Sequence, residues 1–148
     1  MEINARIDYA LRAVLLLAEA QPDAVAGTTI AHAQQLPPSY LHAVLSDLRR
    51  AGLVYSLRGT TGGYTLSRPA AEITVADVLT ALDANLLRVR GVPPTRTTFH
   101  GAATGLETVW QAAEAAIRTV LEKVTLDDIV SNRLPGGVVD LSRTLNPS

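Results

Sequence analysis

The stretch Arg58-Gly59-Thr60-Thr61-Gly62-Gly63-Tyr64 constrains this chain more than any other. Before it, Leu53, Tyr55 and Leu57 alternate with Val54, Ser56 and Arg58; after it, Tyr64, Leu66 and Arg68 alternate with Thr65 and Ser67. A period of two is the signature of a strand, and two such runs separated by a short glycine-rich tip predict a β-hairpin. Glycine at the tip admits positive φ and leaves the backbone bare enough for another molecule to approach closely. Pro69 ends the second strand.

The residues before the hairpin have helical spacing. Asn4 caps a first helix in which Ile7, Leu11, Val14, Leu15 and Ala18 recur on one side, and Gln21-Pro22-Asp23 stops it. A short second helix is expected after Thr28 as cap, with Ile30, Ala31 and Leu36 turned inward. Pro37-Pro38-Ser39 ends it and opens a third, since proline is tolerated in a first helical turn. The third helix carries Leu41, Val44, Leu45 and Leu48 on one face and stops at Gly52. Its other face shows Ser39, Tyr40, His42, Ala43, Ser46, Arg49 and Arg50. After the hairpin, Thr74 with Asp77 reads as a capping box and Ile73 with Val78 as a hydrophobic staple, giving a fourth helix to about Asp83.

Three regions follow: 1–84, a helical domain with its hairpin; 85–105, aperiodic and rich in Gly, Pro and Thr, read as a linker or mobile loop; and 106–148. In the last, Leu106, Val109, Trp110, Ala113, Ile117, Val120, Leu121 and Val124 form one apolar stripe over nearly five turns. Such a helix either folds back on the first domain or pairs with a copy of itself, and its position beyond a linker favours pairing. Thr125 with Asp128 repeats the capping box and starts a brief helix to about Asn132, after which Pro135-Gly136-Gly137 and Leu141–Ser148 read as a tail, docked through Val138, Val139 and Leu141.

Composition narrows the chemistry. At 148 residues and 15.7 kDa the chain holds one domain with a short appendage. Hydrophobic residues make up 47% and charged ones 18%, which excludes disorder throughout. The longest apolar run, Ala13–Ala18, is far short of the roughly 18 residues of a membrane span, and no cationic leader is read at the N-terminus, so a cytoplasmic location without membrane contact is expected. The absence of cysteine excludes disulfides, thiolate metal sites and Cys nucleophiles. His32, His42 and His100 lack metal-site spacing, so no metal or other cofactor is expected. Neither a G-x-S-x-G elbow nor a phosphate-cradling G-x-x-x-x-G-K-[ST] loop occurs, which speaks against an enzyme.

Three helices followed by a glycine-tipped hairpin is the order of a winged helix-turn-helix, in which the third helix enters the major groove and the hairpin flanks it. Net charge is only −1, but four arginines and one aspartate lie between Tyr40 and Arg68, whereas residues 70–148 hold seven basic and nine acidic side chains. Positive charge is therefore concentrated where a duplex would sit. Arg58 before a bare tip suits a narrow, electronegative minor groove.

The residues resemble the Rrf2 family of bacterial transcription regulators. Asp8-Tyr9-Ala10-Leu11-Arg12-Ala13, Ser39-Tyr40-Leu41 and Leu48-Arg49-Arg50-Ala51-Gly52-Leu53-Val54 match its helices. Arg58-Gly59-Thr60-Thr61-Gly62-Gly63-Tyr64-Thr65-Leu66 is similar to its R-G-x-x-G-G-Y-x-L wing, and Glu72 to Val78 to the segment after it. The resemblance is strong over residues 1 to about 84, slight in the linker, and moderate in the long helix and Val124–Ile129. It implies a homodimer joined through the long helix, placing two recognition helices and two wings on a pseudo-palindromic operator. Many members hold an iron-sulfur cluster with three cysteines in the loop before that helix; here the loop offers Thr95, Thr97, Thr98, Phe99 and His100. Some relatives add a carboxylate from the first helix, where this chain has Asp8. Glu2 and Asp8 replace residues that are commonly basic, leaving Arg6 as the nearby phosphate partner, and His42-Ala43 stands where Glu-Gln is common.

The expected reading surface is thus Arg6, Ser39, Tyr40, His42, Ala43, Arg49, Arg58, Gly59 and Thr60, and the expected function a sequence-specific regulator of double-stranded DNA, a repressor by preference. Each residue has a plainer alternative. Tyr40 can pack on a neighbouring helix, Arg49 can complement a helix C-terminus, Arg58 can be a solvated charge at a strand end, and Trp110, on the long helix, serves core or interface. The alternative function keeps the winged helix as a protein-protein module with little DNA affinity. Phe99 and Trp110 beside hydroxyl-rich residues suggest a small-molecule effector pocket.

Overall fold

Asn4 starts the first helix as its side chain allows, accepting a hydrogen bond from the Ile7 amide at 3.0 Å. In the computed structural model, which describes residues 1–146, helix α1 (Ala5–Ala20) buries Ile7, Ala10, Ala13, Val14, Leu17 and Ala18 and runs through the centre of the core. Small residues at positions 10, 13 and 18 let neighbouring helices approach closely. Helix α3 (Pro38–Arg50) lies against α1 through Leu41, Val44, Leu45 and Leu48, each at most 2% exposed. Pro38 opens it, and Gly52, at φ +79°, ends the turn beyond it in a conformation most side chains resist.

Helix α2 (Gly27–Gln34) begins one residue before the Thr28 expected to cap it. Ala26 occupies the cap position and supplies no side-chain acceptor. The reason is the preceding residue: Val25 exchanges backbone hydrogen bonds with Tyr64, at 2.9 and 2.8 Å, and this pairing fixes where the chain turns into α2. The hairpin, β1 (Val54–Leu57) with β2 (Gly63–Leu66), pairs antiparallel with Val54 opposite Leu66 and Leu57 opposite Gly63. Val25 therefore extends the sheet by one bridge, and it does so over Gly63, where a Cβ would collide with the Val25 carbonyl. Only Val54 of β1 is buried; Tyr55 and Leu57 point outward, each 48% exposed.

Both capping boxes form. Thr74 caps helix α4 (Val75–Ala81) and Asp77 answers it; Thr125 and Asp128 do the same for α6 (Leu126–Val130), which follows helix α5 (Leu106–Glu122). The two caps lie side by side, because Val75 donates to the Val124 carbonyl and Leu126 to that of Ile73, both at 2.9 Å. Helix α6 packs against α1, so Leu126, fully buried, belongs to the same core as the N-terminal helices. Residues 85–105 form no long element but are held in place: Val89 and Val92 bridge, Pro94 and Thr97 are buried, and the Thr97 hydroxyl donates to the Pro94 carbonyl at 2.7 Å. The segment read as a tail contains a further helix, α7 (Gly136–Arg143). No helix among the described residues is long and apolar enough to cross a membrane.

Candidate nucleic-acid interface

The apolar stripe of α3 is used up in the core, so its opposite side is necessarily outward. Ser39, Tyr40, His42, Ala43 and Arg49 are all exposed. Tyr40 divides its ring between two roles. It meets Tyr9 of α1 edge to face, centroids 5.2 Å apart, yet remains 42% exposed, so the helical packing orients a phenol that still reaches solvent. His42 lines a depression of about 390 Å³ together with Leu41, Leu45, the uncapped start of α2 (Gly27 and Thr28) and Tyr64 of the hairpin. Amide groups at a helix start without a cap lack intrahelical partners and favour anions. Periodicity gives no hint of this juxtaposition, which depends on the Val25–Tyr64 bridge.

Charge on this surface is decided by what already engages each arginine. Asp47 binds two of them, Arg6 at 3.0 Å and Arg50 at 3.0 Å, and Arg68 pairs with Asp77 at 3.3 Å. Arg49 and Arg58 form no ion pair among the described residues; Arg49 reaches only the Ser56 hydroxyl, at 3.5 Å. Arg58, Gly59 and Thr60 are exposed at the hairpin tip, where the Gly62 amide closes a turn onto the Gly59 carbonyl at 3.1 Å. On this surface, among the described residues, the two arginines without acidic partners are thus one on α3 and one on the wing.

Arg6 has the sequence position of a phosphate contact, and the structure also gives it internal work while its side chain stays 40% exposed. Its guanidinium donates to Asp47 on α3 and, at 2.8 Å, to the carbonyl of Leu82 just past α4. A side chain this engaged ties three helices together. Sequence pattern cannot show this, because its partners lie 41 and 76 residues away.

The stripe of α5 divides along its length. Leu106 and Val109 are exposed, 39% and 54%; Trp110, Ala113 and Val120 are half-buried; Ile117 and Leu121 pack on the edge of the core. Val124, which periodicity assigns to this stripe, is buried within the chain at 6% exposure. The C-terminal half therefore folds back on the domain, while the N-terminal half carries an uncovered apolar face. Glu107 and Gln111, linked at 3.2 Å, flank that face.

Phe99 is half-buried beneath the guanidinium of Arg90, 5.3 Å from the ring centroid. In this region a cysteine-ligated cluster does not fit the residues present. The chain has no thiolate to offer, and among the described residues no three His, Asp or Glu side chains converge. The Asp8 carboxylate on α1 is paired with Arg12 at 2.7 Å.

A helical core that presents an outward third helix beside a glycine-tipped, arginine-bearing hairpin defines a winged helix-turn-helix. Comparison with known proteins narrows the class. Residues 3–132 match the Rrf2 family model, described as an iron-dependent transcriptional regulator, and the chain belongs to that family. It is 41% identical over 143 residues to a Mycobacterium tuberculosis protein named as a putative HTH-type transcriptional regulator, covering 96% of this chain and 89% of that one. It is 34% identical to the HTH-type transcriptional regulator IscR of Pectobacterium atrosepticum, with 97% and 88% covered. Among solved structures, CymR, described as the global cysteine regulator of B. subtilis, superposes with a TM-score of 0.74 at 28% identity, over 89% of this chain and 98% of that one. IscR of T. potens gives 0.72 at 28%, with 89% and 88% covered.

Proposed function

We propose that the chain acts as a homodimeric, sequence-specific repressor on double-stranded DNA. Helix α3 enters the major groove with Ser39, Tyr40, His42, Ala43 and Arg49, and the wing follows the minor groove with Arg58, Gly59 and Thr60. The observation that carries this reading is the distribution of unpaired charge: Arg49 and Arg58 alone on this surface lack an acidic partner among the described residues, and they stand on the two elements a duplex would meet. The uncovered face of α5 at Leu106, Val109, Trp110 and Ala113 supplies the contact between protomers, and a two-fold axis through it displays two reading surfaces to a pseudo-palindrome. On this reading 1–84 is the winged-helix domain, 85–105 a connecting loop and 106–148 the segment that dimerises through the first half of α5, while Val124 and α6 return to the core of the domain.

Salt titration of binding to a selected duplex tests the reading. Each neutralised phosphate releases counterions, so the logarithm of the association constant falls linearly with the logarithm of salt at a slope of about −0.9 per contact. A flat profile would instead favour a winged helix that docks onto protein. Thermal-shift screening with metabolites tests for a small-molecule effector.

A further inference from the structure

The end of helix α4 is gripped from two sides. From one side Arg6 of α1 donates to the Leu82 carbonyl at 2.8 Å while holding Asp47 of α3 at 3.0 Å. From the other, Arg118 of α5 forks to the Thr80 hydroxyl at 3.1 Å and the Ala84 carbonyl at 3.4 Å, and Glu114, one turn earlier on the same face, accepts from the Leu87 amide at 2.9 Å. Carbonyls at a helix end lack intrahelical partners and attract cations, which accounts for Arg6 on the Leu82 C-cap, while Arg118 holds a side chain of α4 and a carbonyl just beyond it. The result is a continuous polar chain from α3, through Arg6, through residues 80–87, to α5. Apolar packing is limited to the partly buried Ile117 and Leu121 at the edge of the core, and α5 has no fully buried side chain among those described, so these directional bonds act beside that packing in setting its angle to the domain.

We infer that Arg118, with Glu114, is a positioning residue for operator recognition, fixing the orientation of the reading surface relative to the dimer helix and hence the half-site spacing the protein accepts. The inference rests on the proposed homodimer. A helix-turn-helix dimer must place its two recognition helices about 34–36 Å, or a multiple of that, apart to meet major grooves on one side of the duplex. A hinge at α4–α5 would let that distance drift. Arg118 suits the task because a planar fork holds two acceptors at a fixed angle, which a lysine ammonium does not.

The chain contains no cysteine, so Ala33→Cys on exposed α2 introduces a single attachment point for a spin label on each protomer. Pulsed dipolar spectroscopy then reads the distance between the two domains of the dimer, in Arg118→Ala, Arg118→Lys and the otherwise unaltered labelled protein. The expected result is a narrow distribution without substitution at Arg118, an intermediate one for Arg118→Lys and a broad one for Arg118→Ala, with dimer mass and helical content retained. The same order is expected in binding: discrimination against operators with one base pair added or removed between half-sites weakens from Arg to Lys to Ala. Equal widths and equal spacing profiles overturn the inference while leaving the proposed function standing. If Arg118→Ala does not fold, Arg118→Lys decides alone on the same criteria. Absence of any dipolar coupling in the label-only protein contradicts the homodimer itself, and the positioning role falls with it.

Discussion

Helices α3 and α5 look alike on paper, each an amphipathic segment with one continuous apolar stripe, yet the structure uses them in opposite ways. Helix α3, with 13 residues, sinks Leu41, Val44, Leu45 and Leu48 into the core of its own chain and leaves a polar face exposed. Helix α5, with 17 residues, has no fully buried side chain and leaves Leu106 and Val109 to solvent. Periodicity tells which side of a helix is apolar; whether that side meets its own chain or another is decided by where neighbouring elements lie. The contrast also separates stability from assembly, and substitutions can pull the two apart.

The largest effect is expected at Leu48, wholly buried where α3 meets the rest of the core. Leu48→Ala should cost about 2–5 kcal/mol of unfolding free energy, measured by urea denaturation, because the cavity cannot fully collapse. On α5 the comparable change should leave folding nearly untouched: Val109→Asp is expected to weaken dimerisation by about 3 kcal/mol, roughly a hundredfold, in sedimentation equilibrium. A monomeric wild type, or a Val109→Asp chain that unfolds, would erase the distinction between the two helices. On the polar face of the first region, Arg58→Ala should lose about 1–3 kcal/mol of operator affinity in a gel-shift titration without changing the urea midpoint. Unaltered affinity would detach the wing from the reading surface. The smallest change is expected at the seam between the regions, where Thr125→Ala removes one half of a capping box and should lower stability by about 1 kcal/mol in the same urea measurement.

What the sequence makes legible is local. Asn4, Thr74 with Asp77, and Thr125 with Asp128 each satisfy amides within three residues of themselves, so short motifs locate three helix starts correctly. The hairpin is equally legible, since its glycines and alternation sit within one short stretch. The features that escape the sequence all depend on distant partners. The Val25–Tyr64 bridge sets the start of α2 at Gly27, with no part for Thr28 as cap, and the Val75–Val124 bond draws Val124 out of the α5 stripe and into the core. Arg6 has the composition of a phosphate contact and the surroundings of a structural strap. Helix α7 is hidden in the sequence because two glycines open it, a weak helical signal that the packing of Val138 against the core overrides.

The proposed function stands or falls with two copies of one surface, an α3 with its wing, meeting a duplex about a two-fold axis. Selection of bound duplexes from a random pool by the purified protein addresses this directly and requires no candidate target. The expected result is enrichment of an inverted repeat whose half-sites lie about one helical turn apart, about 10 base pairs from centre to centre. Recovery of an unpaired half-site, or a pool that stays random through successive rounds, would contradict it.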